Sequence, residues 1–254
     1  MENLSNLFGS YQQLLVICLV FILAGMVKGI VGLGLPTVAI GLLSLSMPTM
    51  EAAALLIMPS LLTNIWQLAA GPDLRQLLHR LRPMLLGICA GTLASALLLT
   101  RINPYWSGIG LGLALITYAG MGLASFHWNM PVRLETRMAS VAGTLTGIVT
   151  ATTGVFVMPS VPFLQTLNLE KDSLIQAMGL TFTVSTLALA ANLAWAGQLH
   201  WNAAGNSLFA LLPAVAGMQL GQVLRDKMQP VVFKRCFFAG LLLLGLHYLW
   251  GARG

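Results

Sequence analysis

The apolar residues of this chain fall into runs that are either long enough to cross a bilayer or clearly too short, and the alternation repeats. In the first half the runs cover residues 11–31, 36–47, 51–70, 83–100 and 105–125. A spanning helix needs about 20 apolar residues, whereas a run of 10–14 marks a re-entrant or interrupted helix. The second run is therefore too short to span, and its counterpart at 160–169 is equally short. With 57% hydrophobic and 8% charged residues and a mean hydropathy of +0.83, the chain is too apolar for a soluble domain. The fold class expected is all-α, a polytopic membrane protein with interrupted or re-entrant helices.

The alternation repeats because the sequence does. "AGMVKGIV" at residues 24–31 matches "AGTLTGIV" at 142–149, and each is followed by a glycine-containing break and a proline, Pro36 or Pro159. "PMLLGICAG" from Pro83 matches "PAVAGMQLG" from Pro213, and Tyr118 and Tyr248 keep that second offset. The expected organisation is one integral membrane domain of two repeats, residues 1–126 and 127–254.

Charge then chooses the relation between the repeats. The loop at 71–82 carries Arg75, Arg80 and Arg82, while its equivalent at 197–205 has no Lys or Arg; the loop at 101–104 has only Arg101, while that at 225–235 has Arg225, Lys227, Lys234 and Arg235. Equivalent loops of opposite charge lie on opposite faces, because cytoplasmic loops are enriched in Lys and Arg. Of the twelve Lys and Arg other than Lys28, inverted repeats with both termini outside place ten inside and two, Arg101 and Arg253, outside, against six and six for parallel repeats of four spans. The net charge of +6 thus sets topology. Nucleic acid is excluded as a partner, since the basic residues form no block and do not interleave with aromatics.

Lys28 stands out as the candidate for function. A lysine within a span costs about 2.5–3.5 kcal/mol on insertion scales and faces a cavity or partner unless it snorkels to an interface. Gly29, Gly32 and Gly34 follow it and let backbone approach closely, and Pro36 marks a helix start whose free N–H groups favour an anion. In the second copy Thr146 replaces Lys28, and the break offers Thr152, Thr153 and Gly154, neutral donors that either contact a substrate or back-bond to their own helix. Asn64 and Gln67, three residues apart, share a helix face. Gly87, Gly91, Gly217 and Gly221 read as helix-packing positions.

Other classes lack their residues. All seven acidic side chains lie in loops or at segment ends, leaving no carboxylate relay. Export of an anion from an inside-negative cell needs none, since it gains about 2.3 kcal/mol per charge per 100 mV. His79, His127, His200 and His247 are isolated, and no phosphate-binding loop or serine–histidine pairing is present, so neither an enzyme nor a cofactor is expected. Cys18, Cys89 and Cys236 have no paired spacing and read as core residues. The first apolar run, without a basic flank or cleavage site, reads as a retained span.

"AGMVKGIVGLGLPTVAIGLLSLSMP", the following "EAAALLIMPSLLTNIWQ" and the weaker copy "AGTLTGIVTATTGVFVMPSVPFL" resemble the TauE/SafE sulfite exporter family of bacterial permeases. The resemblance implies a multi-pass inner-membrane transporter of a small sulfur-containing anion, sulfite or an organosulfonate. It maps the family's glycine-rich break onto Gly29, Gly32 and Gly34, and onto Gly147 and Gly154. The expectation is an exporter working by alternating access, with Lys28, Gly29, Gly32, Gly34, Asn64, Gln67, Thr152, Thr153 and Gly154 binding substrate. An anion channel using the same residues and a scaffold subunit without substrate are the alternatives. The partners admitted are a small anion, the bilayer, a coupling ion (sodium or proton) and a second copy of the chain in a homodimer.

Overall fold

The computed structural model describes residues 2–99, 104–124, 130–197, 201–225, 227 and 230–251. Arg101, Arg253, His127 and His200 lie outside the described residues. Within them the chain forms α1 (Glu2–Val31), α2 (Leu35–Leu43), α3 (Thr49–Ala69), α4 (Leu74–Leu99), α5 (Pro104–Ala124), α6 (Val132–Thr153), α7 (Ser160–Gln165), α8 (Lys171–Trp195), α9 (Trp201–Arg225) and α10 (Pro230–Gly251). Each half is long, short, long, long, long, and the two short runs fold as helices of nine and six residues. Six of the long helices are apolar enough over a sufficient length to cross a membrane. α4 starts nine residues before its apolar run because Leu77, Leu81, Met84 and Ile88, spaced at three and four, form one buried stripe that carries the helix out through its basic turn.

Glycines decide how the helices pair. A Cβ on Gly25, Gly29, Gly217 or Gly221 would overlap the carbonyl oxygen of Ala214, Met218, Ile22 or Met26 respectively, so α1 and α9 touch backbone to backbone. The same holds for Gly143, Gly147, Gly87 and Gly91 against Met84, Ile88, Ser140 and Thr144 in the α4–α6 pair. The sequence offsets of 118 and 130 carry each contact of one pair onto a contact of the other. Small residues at such interfaces substitute close packing for the hydrophobic drive that lipid removes.

Contact order gives the helix directions. Numbers rise together along α1 and α9, and along α4 and α6, so both pairs run parallel. The equivalent helices α3 and α8 run antiparallel: Asn64 and Leu68 lie against Gly179, whereas Gly71, farther along, lies against the earlier Gln176. α5 and α10 are antiparallel too, with Ile116 beside Gly245, and Tyr118 edge-on to Phe238 at 5.2 Å. The C-termini of α1, α3 and α9 and the N-termini of α4, α6, α8 and α10 consequently gather at one end. Arg75, Arg80, Arg82, Arg133, Arg137, Lys171, Arg225, Lys227, Lys234 and Arg235 lie at or near it. There Arg80 makes a two-pronged pair with Glu135 (2.6 and 2.9 Å), whose hydrogen bonds raise the guanidinium pKa above its ordinary value.

Pro59 interrupts α3, and α9 repairs the break. A proline has no N–H for the carbonyl four residues earlier, which here is Leu55. Ser207 Oγ donates to that carbonyl (2.8 Å) and accepts from the Met58 N–H (3.0 Å). The outer surface is apolar, with Leu86, Trp195, Phe209, Leu212 and Trp250 all highly exposed, as a lipid-facing belt requires. The three cysteines correct the sequence expectation: Cys18 and Cys236 are exposed and Cys89 is half-buried. In a membrane chain an apolar residue suits lipid as well as core, so apolarity alone did not place them.

Candidate functional site

α1 delivers Lys28 to the interior one turn before the helix ends. Gly32 (φ +82°) and Gly34 (φ +105°) both take left-handed backbone, which reverses the chain between α1 and α2 and strains any residue with a Cβ. α2 then begins with Pro36 in its first turn and is buried almost throughout, its Gly41 carbonyl accepting from the Tyr248 hydroxyl (2.8 Å).

Lys28 is 5% exposed. Its Nζ donates to Thr63 Oγ1 (3.1 Å) and to Asn64 Oδ1, both on α3. Thr63 keeps an oxygen lone pair for this because its own proton goes to the Pro59 carbonyl (2.6 Å). The amide of Asn64 is fully buried, and with Oδ1 on the lysine its Nδ2 has no partner. One turn on, Gln67 Nε2 donates to the carbonyls of Gly32 (3.2 Å) and Ile175 (3.0 Å), leaving Oε1 unpartnered. Among the described residues no carboxylate pairs with Lys28, and the one ion pair is Arg80–Glu135. Two of three ammonium protons are thus engaged by neutral oxygens, and the charge is uncompensated.

A cavity of about 770 Å³ opens beside these groups. Lys28, Gly29, Gly32, Thr63 and Gln67 line its inner part; Gly71, Asp172, Gln222 and Arg225 line its mouth at the basic end. The mouth is held by Gln176, which donates to the Leu68 (2.9 Å) and Gly71 carbonyls and accepts from the Asp73 N–H (2.7 Å), and by Ser173, whose hydroxyl donates to Asp73 Oδ2 (2.5 Å). Buried donors next to one net positive charge suit a small oxyanion.

Sequence reasoning pointed to nine residues, and the structure places them in three groups. Lys28, Gly29, Gly32 and Gln67 line the cavity, while Asn64, fully buried, does not line it and joins them through the hydrogen bond it accepts from Lys28. Gly34 lies behind them, with Val27 and the Phe237 ring each 3.2 Å from where a Cβ would sit. Thr152, Thr153 and Gly154 do not line the cavity. Thr152 Oγ1 donates to the Ile148 carbonyl (3.0 Å) and Thr153 Oγ1 to that of Val149 (2.7 Å), while Gly154 faces Ile40 and Ala53. Hydroxyls on a helix find the carbonyl one turn back unless something stronger draws them away. Gln222 and Arg225 were missed as site residues. Their only sequence signal was the topology charge on Arg225, because the α1–α9 contact that brings them in is long-range.

The model of the sulfite exporter TauE/SafE family matches residues 17–248, nearly the whole chain. The chain belongs to that family. Comparison with curated proteins and with solved structures returns no match. This TauE/SafE member is a multi-pass membrane protein of a transporter family, and its glycine-rich break is the segment that turns α1 back beside Lys28.

Proposed function

We propose that this TauE/SafE protein exports a small sulfur oxyanion, sulfite or an organosulfonate, across the inner membrane by alternating access between two inverted repeats. What carries the proposal is Lys28: a buried cation with no carboxylate partner among the described residues, bordering an open cavity of about 770 Å³. Lys28 neutralises the anion, the Asn64 Nδ2 donates to it, and Gly32, with nothing within 4 Å of an added Cβ, leaves it room. The positive-inside rule makes the basic end cytoplasmic, so the cavity faces the compartment from which an anion is driven outward by the membrane potential.

The inverted relation is supported by the antiparallel course of the equivalent pairs α3–α8 and α5–α10, as a two-fold axis in the membrane plane requires. Ligands in such folds sit where interrupted helices meet near the midplane. Efflux of sulfite from proteoliposomes tests the proposal, with trans-stimulation by external sulfite expected. Flux that neither saturates nor responds to trans substrate would instead indicate a pore.

A further inference from the structure

The open cavity has a closed counterpart. Offsets of 118 and 130 take Lys28 and Gly29 of α1 to Thr146 and Gly147 of α6, and Gln222 and Arg225 of α9 to Thr92 and Ser95 of α4. The equivalence is physical as well as sequential: Gly29 presses on the Met218 carbonyl and the Gln222 nitrogen, and Gly147 on the Ile88 carbonyl and the Thr92 nitrogen. The surroundings nonetheless differ. Gln222 and Arg225 are exposed at the mouth of the cavity, whereas Thr92 is 0% and Ser95 1% exposed. Thr92 Oγ1 donates to the Gly147 carbonyl (3.3 Å), and the hydroxyls of Ser95 and Thr146 turn back to Gly91 (2.8 Å) and Ala142 (2.7 Å).

A second observation points the same way. α8, packed on α3, α4 and α6, buries Thr181, Ser185 and Asn192 at helical spacing, and Thr181 Oγ1, Ser185 Oγ and both polar atoms of Asn192 have no hydrogen-bond partner. An unsatisfied buried polar group costs about 1–3 kcal/mol. A state in which these groups meet water or substrate recovers part of that cost.

Resting on the alternating-access proposal above, we infer that Thr92, Ser95, Thr146 and Gly147 line a second vestibule, shut in this structure, which opens at the opposite end of the molecule and releases the oxyanion. Its chemistry is that of the open cavity with the cations removed: threonine stands for Lys28 and serine for Arg225. The anion meets two cations and one carboxylate, Asp172, on the side of entry, one net positive charge, and only neutral hydroxyls on the side of exit. Affinity is therefore high on the basic side and low on the other, a polarity that favours release.

The test uses the full chain with Cys18, Cys89 and Cys236 replaced by serine, provided this parent still exports sulfite from proteoliposomes, and adds Thr92→Cys, Ser95→Cys or Gln222→Cys singly. Membrane-impermeant maleimide is applied to right-side-out and to inverted vesicles, with and without sulfite. Gln222→Cys is expected to react only in inverted vesicles, and Ser95→Cys and Thr92→Cys only in right-side-out ones. Excess sulfite, by shifting the population, changes the two sets of rates by about threefold or more in opposite directions. Export by the parent with no reaction of Ser95→Cys and Thr92→Cys from either side overturns the vestibule alone. Simultaneous reaction from both sides overturns alternating access as well, and an unmodified chain that moves no sulfite overturns the proposed substrate.

Discussion

The ammonium of Lys28 and the amide of Asn64 join two helices that run in the same direction, with the lysine donating to Oδ1 while Nδ2 of the same amide remains unpartnered. One side chain thereby holds the cation in place and directs a second donor alongside it. The pair combines a charge with a donor, which is what an oxyanion needs from a buried site.

Replacing Lys28 by Gln removes the charge and keeps most of the volume. Sulfite affinity, read by calorimetry on purified protein, is expected to fall about 10- to 100-fold, since a charge-assisted hydrogen bond contributes about 1.5–3 kcal/mol. The melting temperature should hold or rise, because a buried unpaired cation adds nothing to stability. Undiminished binding would remove the lysine from the site.

Asn64→Asp tests the charge separately from the shape. The new carboxylate would sit on Lys28 and neutralise it, so anion binding should weaken about tenfold or more despite an almost unchanged side-chain outline. Sulfite binding equal to that of the unmodified protein would show that the positive charge of Lys28 is not what attracts the ligand.

Gly221→Val and its equivalent Gly91→Val drive a side chain into the carbonyl oxygens of Met26 and Thr144. Each should cost about 3 kcal/mol or more, by separating helices that have no room to yield. Gly240→Ala, where nothing lies within 4 Å of the added Cβ, should leave the protein unchanged. Fluorescence-detected size exclusion after graded heating separates the two outcomes.

Ser207→Ala orphans the Leu55 carbonyl beneath Pro59 and should destabilise by about 1–3 kcal/mol. In a Pro59→Ala background the helix supplies its own N–H, so the same serine change should cost less. A double-mutant cycle on thermal midpoints measures the difference; additive costs would mean that the serine and the proline break act independently.

Much of the architecture was legible because it follows from local constraints. The lengths of the apolar runs identified the short α2 and α7, the duplicated "AGxxxGIV" and "PxxxGxxxG" segments gave the offsets that the helix contacts obey, and Lys28 declared itself by its cost in an apolar setting. The threonine-rich break was not resolved this way. A hydroxyl on a helix carries no local sign of whether it bonds its own carbonyl or a ligand, and in Thr152 and Thr153 the carbonyl has it. The cysteines were unreadable for a related reason, lipid and core being equally apolar.

The sequence by itself determined that the chain is helical, crosses a membrane repeatedly, consists of two similar halves and carries one costly lysine in the first of them. Each of these depends on composition and spacing along a single segment. Only the tertiary structure decided that Lys28 meets Thr63 and Asn64, that Gln67 ties the break at Gly32 to α8, and that Gln222 and Arg225 are exposed while Thr92 and Ser95 are buried. Those outcomes join residues 35 or more positions apart. They depend on which glycine faces approach each other, a choice among helices that the apolar pattern of each helix leaves open.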